Sequence, residues 1–297
     1  MCHVCVPSII MVDSGDEDIY KTTFKLYRNW TPESNLPLID FTAKKNYENY
    51  FENITETWSK SSSSSIDTNF ETFKHFKSID QWKIYKSIKG LNGLFIITGI
   101  LNENFRQNWF DYFHNQLPCL QNELNLKSNI ELSSSTTTLS ETILTKLRWI
   151  TFGYHHDWNT KIYNLQQTTV CIPERIIDLC RMISMFMNFD FKPEAGIINY
   201  YGRNSSLCFH TDHSELNHQA PLISLSLGRS AIFLIGGPNK QSTKPIIPIL
   251  LNDSDLIIMS DESRLALHSV PKILPESSTV NDHQSIHRIN VNIRQVF

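Results

Sequence analysis

A dominant charge is the first thing this 297-residue chain lacks: 27 Lys and Arg stand against 30 Asp and Glu, a net charge of −3. That balance excludes a protein that coats nucleic acid through its overall field, while leaving room for a local basic patch that grips a short stretch. No apolar run reaches the roughly 18 residues needed to span a bilayer, so no membrane partner is expected. A cysteine framework is also missing. Cys2, Cys5, Cys119, Cys171, Cys180 and Cys208 follow no regular spacing, and no secretory segment precedes them. They are expected to be reduced thiols of an intracellular protein. Cys2-His3-Val4-Cys5 would make half a zinc site, but no second Cys or His pair lies nearby, and it reads as a frayed terminus. The acidic start (Asp13, Asp16, Glu17, Asp18) has the wrong sign for a mitochondrial presequence. Nucleus and cytoplasm are the expected compartments, with the mitochondrion less favoured.

What is present is an ordinary globular composition, 40% hydrophobic and 19% charged. The length suffices for one large catalytic domain with an extension. Asp16 to Asn29 reads as a capped amphipathic helix with Tyr20, Phe24 and Tyr27 on one side. The serine run from Ser61 to Ser65 reads as a flexible insertion, and Ser133 to Thr138 as another loop. Trp82–Tyr85 and Leu94–Ile97 read as strands, and Glu103–Gln116 and Arg175–Asn188 as helices with one apolar face. From Ala195 the pattern changes to short strands separated by turns: Ile197–Tyr201, Leu207–His210, Leu222–Leu227, Ala231–Ile235, Leu256–Met259 and Ile289–Val296. The expected fold is α+β, a jelly-roll core buttressed by helices. Residues 1–80 are expected to form an N-terminal extension and 81–297 the catalytic domain, with the jelly roll over about 195–297.

His210-x-Asp212 places two metal-ligating side chains two residues apart, which on a strand project from one face. Such a pair is weak evidence by itself, because surface polar residues produce it by chance. A downstream histidine must complete a site, and His268 lies in an expected strand; His283 and His287 are the next candidates. Two imidazoles and one carboxylate form the set that holds iron(II) on one face and leaves other positions open for oxygen chemistry. The segment from Arg288 to Arg294 alternates polar with apolar, as any half-exposed strand does. Its polar positions, however, are Arg288, Asn290, Asn292 and Arg294, four donors suited to a dicarboxylate.

These motifs together resemble the AlkB iron(II)/2-oxoglutarate dioxygenases, most closely the eukaryotic AlkB homologue-1 branch. The resemblance runs through Leu147–His155, Ala195–Tyr201, Asp212-x-Ser214-Glu215-Leu216, Ser230–Gly237 and Arg294–Val296, and fades toward the N-terminus. It implies a double-stranded β-helix core, with His210, Asp212 and His268 as iron ligands. Asn199, Tyr200, Tyr201, Arg288, Asn290 and Arg294 fall at 2-oxoglutarate-binding positions, Arg288 on the distal carboxylate and Arg294 near the iron, where it also counts as catalytic. The implied cofactors are Fe(II), 2-oxoglutarate and O2. The implied reaction is oxidative demethylation of N-methylated bases in tRNA or DNA, releasing formaldehyde, succinate and CO2.

A base-modifying enzyme must flip its target out of the stack and hold it between apolar surfaces. Trp149, Tyr154, His155, His156 and Trp158 match the family's nucleotide-recognition lid, expected over about 145–165, although Trp149 and Tyr154 would serve equally as core aromatics. Ser214 stands where the bacterial founder has a base-contacting aspartate, so the founder's substrate preference does not transfer; Glu215 joins Ser214 as an expected substrate contact. Lys240 reads as an exposed loop lysine. No obligate protein partner is expected. Two other functions stay open at this stage. One is a protein (histone-tail) oxygenase with the same cofactors, and the other a non-catalytic nucleic-acid-binding module.

Overall fold

A computed structural model describes residues 18–61, 71–120, 146–168, 170–275 and 287–297. The Cys2–Cys5 motif, the Ser133–Thr138 loop and most of the Ser61–Ser65 run lie outside these residues. The described residues form the strands β1 (Phe51–Asn53), β2 (Lys83–Ser87), β3 (Leu94–Thr98), β4 (Trp149–Asp157), β5 (Ile162–Thr168), β6 (Ala195–Tyr201), β7 (Leu207–His210), β8 (Leu222–Gly228), β9 (Ala231–Ile235), β10 (Ile247–Leu251), β11 (Leu256–Met259), β12 (His268–Ile273) and β13 (Arg288–Arg294). They form a nine-stranded sheet, ordered β1-β2-β3-β11-β8-β13-β6-β4-β5, and a four-stranded sheet, ordered β10-β9-β12-β7. Every strand pair is antiparallel. This is the expected jelly roll buttressed by helices.

Strand alternation sorts the large sheet into two faces. Ile289, Val291 and Ile293 of β13, with Ile198 and Tyr200 of β6 and Leu225 and Leu227 of β8, point outward into a core shared with two helices. The helix Glu174–Met187 contributes Ile176, Leu179, Ile183 and Phe186 to that core, and the helix Glu103–Asp111 contributes Trp109. The inward face meets the small sheet through Tyr201, Leu222, Ile257 and Met259 against Phe233, Ile235, Ile249 and Val270. The site occupies the space between the two sheets.

The N-terminal helix spans Ile19–Arg28, with the Asp18 carboxylate accepting from the backbone N–H groups of Tyr20 and Lys21. Its buried face, Tyr20 and Tyr27, packs on Ile232 and Leu234, on the outside of the small sheet. Tyr20 also ties the helix to the turn after β9: its hydroxyl donates to Asn239 O and accepts from Gly237 N. Lys240, which is exposed as expected, pairs with Asp18 on the same turn.

The structure corrects one expected element and supplies two that the sequence reading did not specify. The Glu103–Gln116 helix is α-helical only to Asp111; Tyr112–Gln116 widens into a π turn, which periodicity does not register. The aromatic segment from Trp149 is a strand, β4, with Gly153 at φ +73° against the backbone of Glu194. A Cβ there would lie 2.1 Å from Glu194 O, so only glycine lets the chain turn at this point. The strand Ile247–Leu251 went unread because Pro248 sits inside it, on β10 at the edge of the small sheet.

Candidate active site

His210 closes β7 and His268 opens β12, and the two strands pair with these residues directly opposite. Their rings stand 4.3 Å apart. The Nδ1 atom of His210 lies 3.0 Å from Cys208 O and that of His268 lies 3.0 Å from Ala266 O. A carbonyl can only accept, so both Nδ1 atoms carry the proton and both Nε2 lone pairs are left to face the cavity. Asp212 follows two residues after His210 and completes the cluster, 3.9 Å from His210 Nε2 and 3.7 Å from His268 Nε2. The three ligand atoms all lie within 4.8 Å of one another, and among the described residues this is the cluster able to hold a metal ion.

The charge states suit a divalent cation. Burial, reinforced by the neighbouring His210, pushes His268 down to about 4 and keeps it a neutral ligand. Burial alone would raise the Asp212 carboxyl, but Arg294, and then the two histidines, hold it well below the usual carboxylate range. Two imidazoles and one carboxylate are a donor set that fits iron(II).

The arginines of β13 sit at opposite ends of the strand and do different things. Arg288 is buried at one wall of a cavity that also contains His210, His268, Tyr201, Asn290 and Asn292. Its Nη1 donates to Arg229 O and its Nη2 to Ser226 Oγ, while Nε is buried with no partner. Burial lowers its pKa to about 10, so it remains a cation. Arg294 does not line this cavity. Its Nη2 lies 2.8 Å from Asp212 Oδ1, and its Nη1 lies 2.7 Å from Glu215 Oε1.

Behind Asp212 lies a buried ionic network that sequence reading did not anticipate. Glu215 is fully enclosed and takes Arg294 on one oxygen and Arg264 on the other, the latter at 2.9 Å. Arg264 donates in addition to Asp212 O at 2.7 Å and to Ala220 O at 3.0 Å. Tyr163 of β5 donates to Glu215 Oε1. Two arginines thus grip Asp212, one by its side chain and one by its backbone. The expected substrate contact at Glu215 is therefore corrected: a carboxylate with no exposed atom holds the metal-site loop instead. Arg264 and Tyr163 carry no spacing signature, and only the tertiary fold brings them here.

Among the other expected cofactor residues, Tyr201 and Asn290 line the cavity, and Asn290 donates to Ser224 Oγ. Tyr200 is corrected. It points to the helix-side core, where its hydroxyl donates to Phe113 O. Asn199 pairs across the sheet with Asn290 and Trp149 but lines the adjoining groove rather than the cavity.

That groove, about 560 Å³, shares Tyr201 and Leu207 with the cavity and contains Trp149, Arg148 and Arg203. Trp149 is half-buried, its ring 4.4 Å from that of Trp158. Tyr154 lies elsewhere, edge-on to Phe297 and packed with Tyr163 and Val296. His156 is buried against Trp158 and Tyr163, with neither ring nitrogen hydrogen-bonded. His155 is half-buried, and Ser214 is half-buried two residues after Asp212.

The profile of the 2OG-Fe(II) oxygenase superfamily matches residues 93–294. A human protein named nucleic acid dioxygenase ALKBH1 is 30% identical over 282 residues, covering 87% of this chain and 71% of its own length. The Arabidopsis thaliana DNA N(6)-methyladenine demethylase ALKBH1A is 33% identical, with 56% of this chain and 53% of that protein covered. The Schizosaccharomyces pombe tRNA demethylase abh1 is 37% identical, with 54% and 56% covered. The solved structure of OsALKBH1 is similar at TM-score 0.49 and 20% identity, with 68% of this chain and 96% of that one covered.

Proposed function

The chain belongs to the 2OG-Fe(II) oxygenase superfamily, and on that premise we propose an iron(II)- and 2-oxoglutarate-dependent dioxygenase that removes N-methyl groups from nucleic-acid bases. The observation that carries this reading is the convergence of His210, Asp212, His268 and Arg288 on one space between the sheets. The names of the relatives favour nucleic acid, as tRNA or DNA, for the substrate.

Iron(II), with 2-oxoglutarate and O2, supplies the oxidising power that hydroxylates a methyl group, which then leaves the base nitrogen as formaldehyde. His210 and His268 would hold the metal through Nε2, their rings locked by the carbonyls of Cys208 and Ala266. Asp212 would supply the anionic ligand, kept ionised by Arg294. Arg288 would take the distal carboxylate of the co-substrate, since its buried guanidinium has an unpartnered Nε and faces the same cavity. Tyr201 and Asn290 would flank that carboxylate. Trp149 offers a flat, half-exposed ring in the adjoining groove on which an unstacked base could lie. The protein's own contribution is therefore the placement of these groups around one space between the sheets.

The test is succinate formation from 2-oxoglutarate with iron(II), measured with and without methylated tRNA. Stimulation by the tRNA, with loss of both activities in His268→Ala, is the expected result. Turnover that ignores nucleic acid but responds to a methylated peptide would replace the substrate assignment, and full activity in His268→Ala would remove the proposed ligand set.

A further inference from the structure

A second cavity, of about 510 Å³, lies at the end of the sandwich away from the histidines. Its wall includes the β8–β9 turn, Gly228 to Ser230, whereas His268 pairs with Ile235 at the far end of β9. Four cationic side chains line it: Lys77, Lys83, Arg106 and Arg229. Neither Lys77 nor Lys83 has a carboxylate within ion-pair distance among the described residues. The heads of Lys77 and Arg106 converge on one point. A Cβ built on Gly99 would lie 3.2 Å from Lys77 Nζ and 3.6 Å from Arg106 Nη2. Holding two like charges around a shared gap costs repulsion unless an anion offsets it.

Three acids share the cavity, and each is engaged with backbone N–H groups; Asp40 accepts from those of Thr42 and Ala43. Asp255 accepts from the backbone N–H groups of Gly99 and Asn252, and Asp253 accepts from that of Gly228. Burial pushes Asp255 up to about 7, so near neutral pH it is only partly ionised and offsets only part of the surrounding positive charge. Burial, and then Arg106, pushes the Lys77 ammonium below its ordinary value. Arg106 Nε forms a loose ion pair with Asp253 at 3.8 Å, beyond hydrogen-bond reach, and has no hydrogen-bond partner.

We propose that this cavity is a second ligand site, binding a phosphate-type oxyanion between Lys77 and Arg106. Lys83 and Arg229 add to the attracting field. The site is separate from the metal centre and does not depend on the iron-centred reading. It adjoins that centre through one turn, because Arg229 O accepts the hydrogen bond of Arg288 Nη1.

The experiment is calorimetric titration of the full chain, in chelator and without iron, with inorganic phosphate in one arm and a short unmethylated single-stranded oligonucleotide in the other. Saturable phosphate binding is expected, weakened about ten-fold in the Lys77→Gln/Arg106→Gln double variant by loss of two charge-assisted contacts. Binding of the oligonucleotide alone, equally weakened by the double variant, would also support the site and identify a nucleic-acid backbone as the source of the phosphate. Lys77→Gln by itself repeats the comparison if the double variant melts at a lower temperature. No saturable binding of either probe at millimolar concentration, or binding that both variants leave unchanged, would overturn the proposal.

Discussion

Arg288 and Glu215 are both buried side chains of opposite charge, and their partners assign them opposite duties. Arg288 lines a cavity and has an Nε with no hydrogen-bond partner, whereas both carboxylate oxygens of Glu215 are taken by arginines. For Arg288→Lys, the point charge survives and the planar fork is lost. Losing one charge-assisted hydrogen bond should raise the KM for 2-oxoglutarate about ten-fold or more, with iron affinity near normal. An unchanged KM in steady-state assays would take Arg288 out of the co-substrate site. Glu215→Gln should instead act on stability, because it leaves Arg264 buried without its anion and takes from Arg294 one of its two carboxylates. Breaking a buried ion pair from one side costs about 3–5 kcal/mol. Urea denaturation should read that loss, together with weaker metal retention. Normal stability with a raised KM for nucleic acid would restore Glu215 as a substrate contact.

Among the elements, β4 separates two aromatic residues that look equivalent in sequence. Trp149 stands on the inward face, in the groove beside the cavity, while Tyr154 packs behind it on Phe297. Trp149→Ala should therefore lose turnover of nucleic acid, by about 1–3 kcal/mol in binding, and spare the uncoupled decarboxylation of 2-oxoglutarate. Tyr154→Ala should depress both together and lower the melting temperature; selective loss of nucleic-acid turnover in Tyr154→Ala would reverse the assignment. Elements whose apolar period was clean were legible in the sequence. The strand Ala231–Ile235 and the strand Leu256–Met259 sit where their residues predicted; His210 ends β7 and His268 opens β12 as expected, whereas Asp212 lies beyond the end of β7 rather than on the same strand face. Tyr200 was misread because a motif match does not say which face of β6 a residue occupies. Arg264 and Glu215 were not legible as a pair, since their 49-residue separation closes only in the folded chain.

The whole molecule answers to pH through groups that pull in different directions. Asp255 has its pKa raised from 3.8 to about 7 by burial, so the folded chain holds a proton there that the unfolded chain releases. That term lowers stability as pH rises through roughly 4 to 7. Asp212 and Glu215, both held low, contribute stability present above their unfolded values and lost in acid. The buried histidines His268 and His287, both pushed down to about 4, also lose stability as pH falls below their unfolded value. The measurable quantity is therefore a difference. Asp255→Asn should be less stable than the parent in acid, where one of two backbone contacts is lost, and should recover relative to it as pH approaches neutral. Thermal melts at a series of pH values check this, and parallel curves for the two proteins would rule the mechanism out.

The strand β13 lies between β8 and β6 in the middle of the large sheet, yet it follows every other described strand in the sequence. A ribosome therefore delivers the keystone after the arch. Until Arg288 to Arg294 emerge, β6 and β8 each wait with an unpaired edge, the kind of surface that recruits foreign strands. A prematurely terminated chain would carry all three metal ligands and neither of the β13 arginines. Such a product would be prone to aggregation, and it would lack Arg288, the residue proposed to hold the co-substrate.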